Sequence, residues 1–213
     1  MDDDSCAEVL AFWFPDGLAR DEAALLRRAE WWFRGGADEE IIRRFPPLLE
    51  RAERGELDHW AETPRSRLAL IVVLDQFSRS VYRGSRRAFS NDPKARALAL
   101  DGLACGQYAA LEAPWEKTFF SLPLGHSEER EHLELVVALA EELAREVPVE
   151  LRSWFEFSAN QARGHRDVIA RFGRHPHRNE VLGRRSTPEE LEYLARGQLV
   201  HERPLPAGRR VDA

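Results

Sequence analysis

Residues 68–79 of the chain, Leu-Ala-Leu-Ile-Val-Val-Leu-Asp-Gln-Phe-Ser-Arg, indicate its fold class. The apolar residues 68–74 would cover every face of a helix, and Asp75, Gln76 and Arg79 follow without a break in helical periodicity. A helix that is apolar all round usually lies at the centre of a protein. This apolar run is far too short to span a bilayer. We therefore expect a central helix over residues 65–81.

Helix start signals surround this central stretch. Thr187-Pro188-Glu189-Glu190 combines a capping box with proline at the first helical position, and Thr63-Pro64 and Asp92-Pro93 are weaker versions. Asp38 and Ser127 are further candidate N-caps, before helices expected over residues 39–45 and 128–146. No stretch shows sustained alternation with hairpin turn residues, so the sequence predicts no sheet. The fold class expected is all-α.

Two later segments have the periodicity of amphipathic helices. Residues 131–147 and 155–169 carry apolar side chains every three or four positions. We expect about nine helices in a single domain over residues 1–202, arranged as a bundle or as a stack of helical hairpins. No convincing 34-residue repeat distinguishes the two arrangements. Residues 203–213, with two prolines and no apolar periodicity, are expected to form a flexible tail.

Composition and charge narrow the possible classes of protein. The chain has 213 residues, 43% hydrophobic and 32% charged, with a net charge of −6. These values predict a soluble globular protein and argue against a membrane protein or a dedicated nucleic-acid binder. The acidic start lacks a secretory signal, and Cys6 and Cys105 are too few for a disulfide framework. The predicted compartment is the cytoplasm.

Asp75 and Arg79 are the first candidate functional residues. They lie four positions apart on one helix face and interrupt an apolar environment, where a buried ion requires a partner. They can form an ion pair that fixes helix packing, or both can face a ligand cavity. The sequence leaves both interpretations open.

A second candidate site lies in the arginine-rich segment 163–185. This segment holds seven arginines, two acidic residues and three histidines, although the chain as a whole is acidic. Residues 172–179 indicate a helix end, a proline-stiffened turn and a new helix start near Asn179. Such a turn can hold a phosphate or carboxylate with backbone N–H groups and arginines. Alternatively, the arginines pair with acidic residues elsewhere in the domain, or form an exposed patch for nucleic acid.

Metal and nucleophilic sites have little support in the sequence. Glu56-x-x-His59 and Glu129-x-x-His132 match one element of di-iron bundles, but both lie near turns, and His175-x-His177 lacks further ligands nearby. Nucleophile elbows, phosphate-binding glycine loops and dinucleotide fingerprints are missing from the sequence. We expect no metal and no redox or nucleotide cofactor. The aromatic clusters 13–14, 31–33 and 119–120 are typical of a core, or alternatively of a hydrophobic groove.

Several motifs resemble the bacterial family of unknown function DUF924. They are residues 7–14, the stretch 68–79 with Arg87-Ala88-Phe89 and Asp92, Phe-Phe-Ser-Leu-Pro-Leu-Gly-His-Ser-Glu at 119–128, and the arginine–histidine segment with its continuation, within 165–190. The resemblance covers roughly residues 7–195. It implies a tetratricopeptide-repeat-like, right-handed stack of antiparallel helices, but no settled activity. Residues 129–132 and His175 depart from the family pattern, which weakens the metal hypothesis.

The polar motif positions of the family coincide with the residues selected on physical grounds. The leading hypothesis is a binding scaffold whose polar cavity holds an acidic peptide or a small anionic ligand, with no membrane or nucleic-acid partner. The alternative is a hydrolase-like enzyme with His126 or His177 as general base, oriented by Asp75 or Glu128, and Arg178 at an oxyanion. The candidate ligand-binding residues are Asp75, Gln76, Arg79, His126, Glu128, His165, Arg174, His177, Arg178, Asn179 and Arg184.

Overall fold

A computed structural model describes residues 2–18, 22–197 and 199–206, and within these ranges the chain is helical with no β-strand. This confirms the all-α class. The helices are α1 (Asp2–Trp13), α2 (Glu22–Phe33), α3 (Asp38–Arg44), α4 (Pro46–Glu53), α5 (Pro64–Ile71), α6 (Ser78–Val81), α7 (Asp92–Ala104), α8 (Pro114–Gly125), α9 (Arg130–Glu146), α10 (Arg152–Phe172), α11 (Asn179–Leu182) and α12 (Pro188–Ala195). Short 3₁₀ segments cover Asp58–Glu62, Arg86–Phe89, Pro176–Arg178 and Val200–Glu202.

The central stretch forms a continuous helix with a π-helical middle. Thr63 caps α5 by accepting the Ser66 N–H at 3.4 Å, and a π-helical segment, Val72–Phe77, joins α5 to α6. Residues 68–74 are buried, as expected. The π-helical geometry was not predicted, because a stretch that is apolar on every face carries no pattern that separates a π-helical turn from an α-helical one.

The expected count of about nine helices is not confirmed. With α5, the π-helical segment and α6 taken as one helix, the described residues contain eleven. Proline accounts for one break: α3 ends at Arg44, and α4 begins at Pro46, which has no N–H to continue a helix. The four-residue α11 is a further short helix between glycine-rich and proline-containing turns.

The chain divides into two compact units. The first takes its described residues from 1–20 and 27–123, and the second from 21–26 and 124–213. The single domain over residues 1–202 stays a prediction. Of the expected tail, residues 207–213 lie outside the described residues, whereas Arg203 Nη1 donates to the Asn160 carbonyl at 3.5 Å.

The aromatic clusters form the core of the first unit. The Trp13 ring lies 5.6 Å from the Trp31 ring and 5.5 Å from the rings of Phe77 and Phe119, measured between centroids. Trp13, Phe77 and Phe119 are buried. Edge-to-face pairs at these distances stabilise a core beyond their buried area. The core interpretation of these clusters therefore holds.

Helices α9 and α10 pack together in the second unit. Their buried faces include Leu133 and Val137 on α9 and Phe155 and Ile169 on α10, as the periodicity predicts. Helix α9 begins at Arg130 rather than Glu128, because the Ser127 hydroxyl accepts the Glu129 N–H at 3.1 Å and holds this residue in a turn. Gly173 ends α10 in the left-handed conformation, at φ +67°.

No helix among residues 2–18, 22–197 and 199–206 is long and apolar enough to cross a membrane.

Candidate functional site

The predicted site residues fall in both units. Asp75, Gln76 and Arg79 belong to the first unit. The remaining candidates belong to the second: His126, Glu128, His165, Arg174, His177, Arg178, Asn179 and Arg184. We describe the two sets separately, and a single cavity formed by both stays a prediction.

Arg79 joins two buried carboxylates in the first unit. Its Nη2 donates to Asp75 Oδ1 at 3.2 Å and to Asp92 Oδ1 at 2.9 Å, and the Gln76 amide donates to Asp75 Oδ2. Asp75 is only 1% exposed. Burial by itself would lower the pKa of Arg79, but the two carboxylates outweigh burial and raise it. Asp75 and Arg79 therefore form the expected ion pair. Asp92 is a second ion-pair partner of Arg79, which the helical spacing did not reveal.

Glu128 holds together the turn at the start of the arginine–histidine segment. Arg184 donates to both of its oxygens, at 2.7 and 3.0 Å, and the His175 backbone N–H donates to Oε1 at 2.8 Å. Burial would raise the pKa of Glu128, but the hydrogen bonds from Arg184 and His175 lower it overall. Glu128 and Arg184 thus fix each other's position.

Glu190 is the corresponding anchor on α12. Arg174 donates to its two oxygens at 2.6 and 2.7 Å, Asn179 donates at 3.2 Å, and Thr187 closes the predicted capping box. Glu190 is 2% exposed, and the Arg174 hydrogen bonds lower its pKa to about 2. The sequence identified Glu190 only as a capping residue, because a pairing across 16 positions leaves no local pattern.

Four histidine rings lie side by side in the second unit. The ring centroids of His165 and His175 are 5.6 Å apart, those of His175 and His177 5.4 Å, and those of His177 and His201 4.4 Å. His175 is fully buried, and its Nε2 donates to the Ser127 carbonyl at 3.1 Å, which leaves Nδ1 as a buried acceptor without a partner. His201 was not among the predicted residues.

Three of these histidines, His165, His175 and His177, are neutral at physiological pH. Burial, followed by nearby cationic groups such as Arg178, lowers the pKa of His165 to about 3 and that of His177 to about 2. Burial likewise lowers the pKa of His175. Among the residues that the structure describes, no three histidine, cysteine or acidic side chains are placed to hold one metal ion. His165, His175 and His177 therefore present neutral imidazoles.

The 3₁₀ segment Val200–Glu202 carries His201, and its packing on α10 depends on Gly164. A Cβ atom at Gly164 would lie 2.9 Å from Val200 Cγ1 and from Arg203 Nη1. We expect Gly164→Ala to displace this segment, to separate His201 from His177 and to cost about 1–3 kcal/mol of stability. Chemical-shift changes at the two histidines and a denaturant titration check this result.

Gly125→Ala is the matched control for this substitution. A Cβ at Gly125 meets only Val136 Cγ1, at the ordinary contact distance of 3.9 Å. The histidine signals should therefore stay in place in Gly125→Ala. Unchanged signals in Gly164→Ala as well would show that the close approach is not needed.

Most arginines of the segment 163–185 pair with carboxylates. Arg163 donates to Glu141 at 2.6 Å and Arg171 to Glu189 at 2.7 Å, and Arg166 contacts Asp167 at 2.8 Å. With Arg174 and Arg184 this makes five of the seven. Arg178 is buried and donates to the His126 carbonyl at 3.0 Å. Most arginines of this segment thus form ion pairs within the protein, as one of the alternatives from the sequence predicts.

An open groove of about 930 Å³ lies beside this turn. Its apolar lining includes Leu191, which is 56% exposed, and its polar lining includes His177 and Arg185. The Arg185 side chain is exposed and forms no ion pair with a described residue. The groove residues are Pro176, His177, Glu180, Arg184, Arg185, Ser186, Thr187, Pro188, Leu191, Leu194 and Leu199. Of the predicted site residues, the groove thus contains His177 and Arg184.

Comparison with known proteins places this architecture in a family. The structure of a protein of unknown function, ATU0120 from Agrobacterium tumefaciens, superposes with a TM-score of 0.69 at 32% sequence identity, covering 92% of this chain and 100% of that one. No curated protein matches the chain. The family model for DUF924, described as a bacterial protein of unknown function, matches residues 9–198, and the chain therefore belongs to the DUF924 family.

Proposed function

We propose that the second unit is a binding module for an acidic peptide segment, which lies in the groove beside α12. The observation that carries the proposal is the combination of an exposed apolar wall with an arginine that forms no ion pair with a described residue. Leu191, Leu194 and Leu199 supply the apolar wall, and Arg185 supplies the positive charge. At about 930 Å³ the groove is within the size range of ligand sites, about 300–1,000 Å³.

Arg185 favours an acidic occupant with a neighbouring apolar side chain, against the opposing charge of Glu180 on the same lining. Arg184 is already held by Glu128, so Arg185 is the guanidinium that remains for a carboxylate of the ligand. His177 is neutral and can offer a hydrogen bond without charge. A small hydrophilic anion would leave the leucines in water, whereas a peptide covers them and places a carboxylate at Arg185.

The fold we propose for this module is a tetratricopeptide-repeat-like stack of helical hairpins. The packing of α9 against α10 over 17 and 21 residues supports such a hairpin in the second unit. Helical hairpin stacks commonly bind extended or helical peptides on one face. Cys6 and Cys105 form no disulfide, which fits the proposed cytoplasmic location.

The geometry favours this binding role over the hydrolase alternative. A pKa of about 2 makes His177 a poor general base at neutral pH, where a base with a pKa near 7 is effective. Arg184 and the His175 backbone donate to both oxygens of Glu128, and Arg178 is buried against the His126 carbonyl. Glu128 and Arg178 are therefore engaged in holding the turn of residues 172–179 in place.

Fluorescence anisotropy with a labelled peptide of alternating leucine and glutamate tests the proposal. We expect the peptide to bind the native protein, and Arg185→Gln and Leu191→Ser each to weaken binding about tenfold, the effect of about 1.4 kcal/mol. Both side chains are exposed, so the substitutions should leave the melting temperature unchanged. Replacement of the peptide's glutamates by glutamine should weaken binding to the same extent as Arg185→Gln.

Arg196→Gln provides the control. Arg196 is an exposed arginine at the end of α12 that pairs with Glu192 and does not line the groove. The Arg196→Gln variant should bind the peptide with the same affinity as the unmodified protein. Equal affinities for all three variants, or no binding of the acidic peptide, would overturn the proposed function.

A further inference from the structure

A second concave site lies between α9 and α10, separate from the groove of the proposed function. It has a volume of about 400 Å³. The residues from each helix recur at intervals of three or four and so share one face. The lining consists of Glu141, Ala144 and Arg145 from α9, and of Arg152, Glu156, Ala159 and Arg163 from α10.

The small side chains of Ala144 and Ala159 leave space between three guanidinium groups. Arg163 is fixed at this site, because its Nη1 donates to Glu141 at 2.6 Å and its Nη2 to Asn160 Oδ1 at 2.6 Å. Arg145 and Arg152 form no ion pair with any described residue. The pocket therefore offers two uncompensated positive charges beside a third that is held in place.

Arg152 provides an independent indication of a ligand. Its Nε atom is buried and has no hydrogen-bond acceptor within reach among the residues that the structure describes. A buried N–H donor without an acceptor costs about 1–3 kcal/mol, and native proteins rarely leave one unsatisfied. An oxygen-rich anion in the pocket would supply the missing acceptor.

We propose that this pocket binds the phosphate group of a small molecule. Planar guanidinium groups match the tetrahedral oxygens of phosphate and bind them with paired hydrogen bonds. Arg145 and Arg152 attract the negative charge of a phosphate, and the volume admits a phosphate with a short organic group. Glu156, on the same lining, opposes anion binding and so limits the affinity.

Isothermal titration calorimetry with inorganic phosphate at constant ionic strength tests this site. We expect Arg145→Gln and Arg152→Gln each to weaken phosphate binding about tenfold. Glu156→Gln should bind phosphate more tightly, a gain that a merely structural role would not produce. Arg130→Gln, an exposed arginine at the start of α9 that pairs with Glu134, should match the unmodified protein.

The ligand's organic part is tested by a parallel titration with glycerol 3-phosphate. Tighter binding of the ester than of inorganic phosphate would indicate a phosphorylated metabolite, and equal binding would indicate free phosphate. Arg145 is exposed, so Arg145→Gln retains the test if Arg152→Gln does not fold. No phosphate binding by the folded protein, or equal affinities in Arg145→Gln and Arg130→Gln, would overturn the inference. Neither result affects the peptide groove, whose own variants are Arg185→Gln and Leu191→Ser.

Discussion

Lowering the pH from 7 to 5 is expected to destabilise the second unit by about 4 kcal/mol through His165 and His177 alone. Both imidazoles have folded-state pKa values far below the ordinary 6.5, at about 3 and about 2. At pH 5 the unfolded chain binds a proton at each histidine, whereas the folded chain does not. Each difference contributes about 2 kcal/mol at pH 5, and the total is large beside a typical stability of about 5–15 kcal/mol.

The sign and the pH window follow from the direction of the shifts. A histidine with a lowered pKa stabilises the neutral folded state above pH 6.5, and this stability is lost as the pH falls from 6.5 toward 3. The charged groups that act on His165 are His126, His201, Arg178 and Arg203, and all of them oppose its protonation. Protonation of His177 is likewise opposed by the positive charges of His201, Arg178, His165 and His126 where these groups are protonated.

Urea unfolding at pH 7.5, 6 and 5, with hydrogen exchange of α10 amides, measures this effect in the second unit. His177→Gln cannot take up the proton, so it should lose about 2 kcal/mol less than the native protein between pH 7.5 and 5. His59→Gln removes an exposed histidine of the first unit and should retain the native slope. Equal pH slopes in all three proteins would contradict the histidine explanation.

The sequence predicted the features of this fold that local chemistry determines. The Thr187 capping box, the amphipathic faces of α9 and α10 and the turn around His175 each have a short-range pattern, and the structure contains all three. The π-helical segment Val72–Phe77 had no such signal, because an all-apolar stretch shows no preferred period. The positions and buried faces of these helices were therefore predictable, whereas the π-helical form of the central stretch was not.

The sequence indicated that the candidate site is rich in arginine and histidine, but it did not indicate which residues these side chains contact. Arg174 and Arg184 were selected as candidate ligand-binding residues, and the carboxylates that they contact in the structure, Glu190 and Glu128, lie 16 and 56 positions away. His201 lies next to His177 on a 3₁₀ segment that passes so close to Gly164 that a Cβ there would meet it. Such pairings depend on tertiary packing and not on spacing in the chain. As a result, sequence reasoning treated as ligand-binding several arginines that bind internal acids.

In the first unit, Arg79→Met is expected to cost about 3–5 kcal/mol of stability, the usual effect of leaving a buried charge without its partner. Asp75 and Asp92 would lose their shared guanidinium, and Asp75 would retain only the Gln76 amide among the contacts described above. Arg83→Gln, in the turn that follows α6, is the matched control. Arg83 is 65% exposed, and its surface pair with Asp38 is worth about 0–1 kcal/mol.

A double-mutant cycle with Asp75→Asn separates this buried ion pair from simple packing. In the native protein Asp75→Asn removes a charge that Arg79 stabilises, so it should lower the free energy of unfolding by about 1.5–3 kcal/mol. In the Arg79→Met background the same substitution removes a buried charge that has lost its guanidinium, so it should raise the free energy of unfolding. Urea unfolding of the four proteins measures both effects. If Asp75→Asn destabilises both backgrounds equally, the carboxylate and the guanidinium are not energetically coupled; opposite signs establish that Asp75 and Arg79 stabilise each other as an ion pair across the junction of the π-helical segment and α6.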